Sequence, residues 1–152
     1  MATAKEILAV ARGELGYKES PAASNKTKYG AWFGLNGHPW CMMFIQWVFT
    51  QADAESLLSA RTASCGAFMR AAKAAGQWVT SGYKPGDIVM FDFTGKRSKT
   101  EHCGIVEKVN GNTLTTIEGN TGTASNANGG AVMRRTRDVK FVTGACRPRY
   151  NL

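Results

Sequence analysis

The hydrophobic pattern of this 152-residue chain changes its period once, near Gly82. Before that point apolar residues recur at the three- and four-residue spacing of helices. After it they stand in short runs rich in β-branched residues, as in strands. Helices followed by strands, instead of alternating with them, predict an α+β fold with an antiparallel sheet. The length and the apolar content of 43% suit one domain, residues 1–152, with a core of its own.

The first half of the chain predicts helices, at about Ala4–Leu15, Cys41–Gln51 and Thr62–Ala75. Thr3 and Glu6 form a capping box ahead of the first helix. The second is apolar nearly all round, which indicates a buried helix. Between these two helices lies a long structured loop, residues 17–40, rich in glycine and proline. A loop of this length in a compact domain is usually functional or hides short helical turns.

The second half predicts five strands, at Asp87–Phe93, Cys103–Val109, Thr113–Glu118, Ala131–Arg135 and Lys140–Thr143. Asn110-Gly111 between two of these runs is a strong hairpin signal, because a type I′ turn needs positive φ at both central residues. The segment Gly122 to Gly130, GTASNANGG, is expected to be a flexible loop.

The charge balance indicates an anionic partner without naming it. Nineteen Lys and Arg against eleven Asp and Glu give a formal charge of +8. Nucleic acid, anionic lipid and a bacterial cell wall all carry the complementary charge. A nucleic-acid-binding module without catalysis is one interpretation of this charge. However, no RNP-like strand, recognition-helix pattern or zinc-finger spacing supports it, so we expect no nucleic acid partner. No apolar run is long enough for a membrane span.

The four cysteines are expected to be free thiols. They stand at positions 41, 65, 103 and 146 with no C-x-x-C pair, and no export signal is visible between Met1 and Arg12. A reducing compartment is therefore expected. A zinc site using His38, Cys41, His102 and Cys103 is a further alternative, which the alternation of His102 and Cys103 along a strand makes awkward.

Cys41 is the candidate nucleophile because it begins the buried helix. The first backbone N–H groups of a helix lack internal partners and carry partial positive charge. A thiolate at that position is stabilised, and the Cys41 N–H can donate to an oxyanion. A small buried hydrophobe is the other reading of Cys41.

His102 is the better candidate base of the two histidines, because it opens a strand, whereas His38 lies in a loop. Alternation sends Cys103 to the opposite face, where we expect it in the core. Glu118 and Asn120 lie at the end of the strand paired with that of His102. Reflection about the Asn110-Gly111 turn places Glu118 opposite Cys103, within reach of His102, as an orienting acceptor. A solvated strand-end carboxylate is the other reading of Glu118.

Four ordered segments resemble one known family. Lys28 to Phe49, KYGAWFGLNGHPWCMMFIQWVF, is similar to the nucleophile region of CHAP domains, the cysteine- and histidine-dependent amidohydrolases/peptidases with a papain-like fold. KPGDIVMFDF (84–93), EHCGIVEKV (101–109) and TIEGNTG (116–122) resemble the later blocks of that family in the same order. The closing segment GACRPRY is similar to its last strand, so the resemblance covers nearly the whole chain.

The resemblance implies a papain-like fold with N-terminal helices on a C-terminal sheet, and a peptidoglycan hydrolase of the phage endolysin type. Such an enzyme is expected to stay in the host cytoplasm until its release to the cell wall. Cys41 is implied as nucleophile, His102 as general base and acid, Glu118 as the orienting acceptor and Asn120 as a supporting residue. The bond cut is an amide of the peptide part, at the muramoyl-alanine junction or in a stem or cross-bridge. A monomer without cofactor is expected.

Further expectations concern the surroundings of this site. Trp32 and Trp40 flank it and are candidates for substrate binding, or else roof the core. The basic residues from Lys96 to Lys99, together with Arg134, Arg135 and Arg137, are candidates for attracting anionic wall polymers. Some CHAP endolysins hold calcium with acidic residues before the nucleophile. Because residues 24–40 contain no Asp or Glu, we predict no calcium there, and no other metal.

Overall fold

The protein, described by a computed structural model over residues 2–123 and 125–151, has the predicted α+β architecture. Its helices within those residues are α1 (Ala4–Gly13), α2 (Lys28–Phe33), α3 (Cys41–Gln51) and α4 (Cys65–Ala74). The strands are β1 (Trp78–Val79), β2 (Ile88–Phe91), β3 (His102–Asn110), β4 (Thr113–Thr121), β5 (Ala131–Asp138) and β6 (Val142–Cys146). No helix in these ranges is long and apolar enough to cross a membrane.

The helix prediction is confirmed, with shorter ends for α1 and α4. The side chain of Thr3 accepts a hydrogen bond from the Glu6 backbone N–H at 3.2 Å and so caps α1. Ser64 caps α4 in the same way through the N–H of Ala67, at 3.0 Å. The predicted long loop contains one short helix, α2, whose N-terminus is capped by the side chain of Thr27.

The sheet is antiparallel throughout, in the order β1-β6-β2-β3-β4-β5. It departs from a simple meander, because β6 returns across the sheet and pairs with both β1 and β2. The predicted last strand began at Lys140, but that residue lies in a 3₁₀ turn and β6 begins at Val142. The sequence signal missed β1 because two residues are too few to show alternation. Ala124, in the predicted flexible loop, lies outside the described residues.

The β3–β4 hairpin forms, but its turn lies one residue later than predicted. Asn110 pairs with Thr113, so Gly111 and Asn112 are the central turn residues, and Gly111 has φ +60°. A register shift between Val106 and Lys108 follows, and Ile105 then pairs with Ile117. The predicted pairing of Glu118 with Cys103 is therefore wrong, because this register brings Glu118 level with Gly104.

The two faces of the sheet have separate cores. On the helix face, Met90, Cys103 and Ile105 pack into one large cluster with the helices. On the outer face, Val89, Phe91 and Val106 form a smaller cluster. Cys103 is completely buried, as expected from alternation. His102, the first residue of β3, pairs with Phe91 of β2.

Candidate active site

Cys41 is the first residue of α3, as predicted, and only 9% of its surface is exposed. Trp40, directly before it, is fully buried and stacks on the ring of Tyr29 at 5.5 Å. The Trp40 indole N–H donates to Glu19 at 3.2 Å. These contacts fix the start of α3. Gly119 of β4 faces this start, where a β-carbon would lie 2.8 Å from that of Phe44, so glycine permits the close approach of strand and helix.

His102 is fully buried at the start of β3. Its ring lies 6.1 Å from the rings of both Phe91 and Phe93. The polar loop before it is organised by the Asp92 carboxylate. This carboxylate accepts hydrogen bonds from the backbone N–H groups of Thr94, Ser98 and Lys99 at 3.0–3.1 Å. A loop held by one buried carboxylate delivers the imidazole in a defined position.

Glu118 contacts His102 directly. Its Oε1 lies 2.9 Å from His102 Nε2, and both side chains are completely buried. Thr116 donates its hydroxyl to the other carboxylate oxygen at 2.6 Å. The side chain of Glu118 lies across Gly104, where a β-carbon would be 2.6 Å from Glu118 Cγ. Gly104, which the sequence reasoning missed, therefore makes room for the contact between acid and imidazole.

Arg137 of β5 is a second missed member of the site. Its guanidinium donates from Nε to Glu118 Oε2 at 2.9 Å and from a terminal nitrogen to Oε1. It is only 6% exposed and lies about 5 Å from the ring centroids of Phe91 and Phe93. The expectation that Arg137 attracts wall polymers is therefore wrong, because this cation faces inward and is neutralised by the carboxylate. Nothing in the local sequence of β5 distinguishes it from its exposed neighbours.

Cys41 and His102 each shift the pKa of the other. Hydrogen bonds donated by the thiols of Cys103 and Cys65, together with the contact to His102, hold the pKa of Cys41 well below its usual value against the effect of burial. Burial lowers the pKa of His102, but Cys41 and Glu118 outweigh it and raise that pKa to about 9. At neutral pH these directions favour a thiolate beside an imidazolium.

The hydrogen-bond pattern of His102 leaves one ring nitrogen available. Because Nε2 is engaged by Glu118, the remaining nitrogen is Nδ1. Among the residues that the structure describes, Nδ1 is the buried side-chain nitrogen or oxygen atom without a hydrogen-bond partner. Burial also opposes ionisation of Glu118, yet Arg137 and His102 together lower its pKa to about 2. Glu118 is thus an ionised carboxylate at neutral pH.

The other predicted site residues contact loops and the core. The Asn120 side chain accepts the Gly130 N–H at 3.2 Å and contacts Asn128 at 3.5 Å, so it ties down the 122–130 loop. Trp40 is in the core, which does not suit a groove wall. Trp32 is half-buried, with the Arg61 guanidinium 4.8 Å from its ring, and lines a cavity with residues of the C-terminal half of α3.

The four cysteines are free thiols, as predicted. Cys146 lies apart, with its sulfur 3.4 Å from the Ser59 hydroxyl. The other three meet at the site: the sulfurs of Cys41, Cys65 and Cys103 all lie within 4.8 Å of one another. Because Cys65 begins α4, two helix starts converge here on one residue of β3. The proposed set of His38, Cys41, His102 and Cys103 is not the group that the fold assembles, since His38 is exposed and Cys65 takes part.

The fold, in which N-terminal helices pack on a C-terminal antiparallel sheet, is of the papain-like α+β class. The sequence model of the family described as "CHAP domain" matches residues 32–120, which is more than half of the chain. The chain therefore belongs to the CHAP domain family. A search of curated proteins finds no match.

Solved structures show the same fold at low sequence identity. The wild-type endolysin LysIME-EF1 has a TM-score of 0.61 and 16% identity over 99% of this chain and 66% of that one. Ly7917 has a TM-score of 0.53 and 19% identity over 97% of this chain and 62% of that one. Ly7917 with the hydrolyzing product of MDP has a TM-score of 0.55 and 20% identity over 96% of this chain and 63% of that one. The chain thus spans less than two thirds of each of these structures.

Proposed function

We propose that this protein is a peptidoglycan hydrolase that cleaves an amide bond of the peptide part by cysteine nucleophilic catalysis. Family membership supports the proposal, as does the fold shared with an endolysin. A structure of similar fold has been solved with the hydrolyzing product of MDP. The single observation that carries the chemistry is the buried contact between His102 and Glu118, in which Glu118 engages Nε2 and leaves Nδ1 for the reaction.

The proposed reaction is an acyl transfer. The Cys41 thiolate attacks the amide carbonyl, and the Cys41 N–H at the start of α3 is one donor to the resulting oxyanion. His102 then gives the proton on Nδ1 to the leaving amine and afterwards takes one from the water that hydrolyses the thioester. Glu118 keeps the imidazole oriented and stabilises its charged form. The Arg137 contact holds Glu118 in that orientation.

The remaining basic side chains suit a polyanionic wall. Lys96, Arg97 and Lys99 are exposed in the loop that leads to His102. Arg134, by contrast, is engaged by Glu107 at 2.6 Å, and Arg135 is engaged by Thr121 at 2.7 Å. We propose that the loop cations, rather than those of β5, draw the enzyme to anionic wall polymers.

Digestion of purified sacculi tests the function and identifies the bond. The wild-type protein should release fragments whose newly freed amines, located by mass spectrometry, all come from one kind of amide linkage. A freed amine on the alanine that was joined to the lactyl group would identify an amidase. Freed amines within the stem peptide or the cross-bridge would identify an endopeptidase. If only glycan reducing ends are generated, or no fragments are released, the proposal is wrong.

The pH dependence of kcat/KM should be bell-shaped, with its alkaline limb near pH 9. The active form pairs a Cys41 thiolate with a protonated His102. Because the pKa of His102 is raised to about 9, activity persists at neutral pH and falls as the imidazolium deprotonates above that value. The acid limb reports protonation of the Cys41 thiolate, whose pKa is lowered. Initial rates on a soluble stem-peptide substrate measure the profile, and an alkaline limb near pH 6.5 would contradict the assigned pair.

A further inference from the structure

We propose that Cys41, Cys65 and Cys103, named here the thiol cluster, form a binding site for a thiophilic divalent cation such as Zn²⁺. An occupied site holds the enzyme inactive, because the metal takes the sulfur that would attack the substrate. The metal site itself stands on geometry alone, whereas the inhibition rests on the function proposed above.

The spacing of the thiol cluster matches a tetrahedral metal centre. Zinc–sulfur bonds of about 2.3 Å separate two sulfurs of a tetrahedral site by about 3.8 Å. The sulfurs of Cys41 and Cys65 are 3.9 Å apart, and all three lie within 4.8 Å of one another. Small side-chain rotations are therefore enough to place three sulfurs around one cation. The fourth position of the tetrahedron remains for water.

The surroundings of the thiol cluster favour thiolates once a cation is present. Cys41 is the first residue of the 11-residue helix α3, and Cys65 is the first residue of the 10-residue helix α4. Both sulfurs thus lie at the positive ends of helices. The third sulfur, from β3, is fully buried, whereas Cys41 and Cys65 keep 9% and 8% of their surface exposed. An ion can therefore reach the cluster from the side of the two helix starts.

The mechanism gives Cys65 and Cys103 no bond-forming role, yet both lie beside the nucleophile. Without a cation, three adjacent buried sulfurs cannot all ionise, because like charges repel each other strongly in a buried site. A bound divalent cation removes this conflict, since coordination deprotonates the thiols and neutralises most of their charge. Soft thiolate ligands select Zn²⁺ over Mg²⁺ or Ca²⁺.

The first test is metal binding by the full chain under a phosphine reductant. The wild-type protein should bind one Zn²⁺ in competition with a chromophoric chelator. Co²⁺ in its place should give sulfur-to-cobalt charge-transfer absorption and the visible bands of a tetrahedral site. Cys65→Ser and Cys103→Ser should each weaken Zn²⁺ binding by at least about 100-fold, since loss of a ligand exceeds the effect of an outer-shell change. The charge-transfer intensity per cobalt should fall with each thiolate removed.

Matched controls separate this site from other zinc-binding groups. Cys146→Ser removes a buried thiol outside the cluster, and His38→Ala removes an exposed histidine next to α3 in sequence. Both should bind Zn²⁺ like the wild type, with circular dichroism confirming that every variant is folded. Equal affinity in the wild type and Cys65→Ser, or loss of binding in His38→Ala, would overturn the proposed ligands.

The second test concerns the link to activity. Zn²⁺ should slow both lysis and alkylation of Cys41 by iodoacetamide, with the same concentration dependence, and a chelator should restore both. Inhibition of lysis without protection of Cys41 would show that the metal acts elsewhere and would overturn the inhibitory role. If the protein binds Zn²⁺ at the thiol cluster but digests no sacculi even without metal, the proposed function fails while the metal site stands.

Discussion

Cys41→Ala should lower the rate of sacculus digestion by at least about 10⁴-fold, since removal of the nucleophile from a catalytic triad has effects of that size. The substitution removes one sulfur atom from a small, nearly buried side chain at the first position of α3. It leaves the helix start and the His102–Glu118 contact in place. The measurement is the release of soluble fragments from sacculi over time, at equal concentrations of folded protein.

Two controls make this result specific to the nucleophile. Cys146→Ala removes another buried thiol, on β6, and should retain full activity, which excludes a general effect of losing a cysteine. Binding of the Cys41→Ala protein to sacculi should also match that of the wild type, because binding does not need the sulfur. Digestion by Cys41→Ala at even a tenth of the wild-type rate would contradict the assignment of Cys41.

Local signals in the sequence were enough to predict the main elements of this site. The continuous apolar run gives α3 its observed ends, and a glycine with positive φ forms the β3–β4 turn. Together they place Cys41 at a helix start, and His102 and Glu118 on neighbouring strands. The pairing was one residue off because Asn110 stays in the strand and a register shift follows at residue 107. Neither effect has a signature in the sequence.

The parts that could not be predicted depend on contacts between elements distant in the sequence. Cys65 meets Cys41 only because the starts of α4 and α3 converge on β3, and helix periodicity says nothing about that convergence. Arg137 reaches Glu118 because β5 pairs with β4 in one particular register, with Leu114 opposite Arg137. Its neighbours Arg134 and Arg135 look the same in the sequence. Long-range pairing, rather than propensity, decides which of the three cations belongs to the site.

Because that register buries the Arg137–Glu118 ion pair, we expect the pair to contribute strongly to the free energy of unfolding. Arg137→Met should lower the free energy of unfolding by about 3–5 kcal/mol, because it leaves the buried Glu118 carboxylate without its main partner. Arg134→Met on the same strand is the matched control. It breaks an ion pair with Glu107 in which the arginine is 48% exposed, so the loss should stay below about 1 kcal/mol. Urea unfolding at pH 7 compares the two, and equal losses would contradict the buried pair.

The Arg137–Glu118 pair should also make stability depend on pH. In the wild type the pKa of Glu118 is lowered from 4.5 to about 2. A carboxylate of lowered pKa stabilises the fold above its unfolded pKa, and this contribution is lost as the pH falls from about 4.5 through 2. In Arg137→Met the pKa of Glu118 returns towards its usual value. The difference in stability between wild type and Arg137→Met should therefore shrink below pH 4.

Activity distinguishes a positioning role of Arg137 from a purely structural one. Without the guanidinium, the Glu118 charge acts on His102 alone and favours the imidazolium more strongly, so the alkaline limb of kcat/KM should move above pH 9. Arg137→Lys keeps a cation but loses the two-point contact, and it should give an intermediate limb. A folded Arg137→Met protein with an unshifted limb would mean that Arg137 supports the sheet without tuning His102. A shifted limb would extend the proposed catalytic unit from three residues to a chain of four, running from α3 through β3 and β4 to β5.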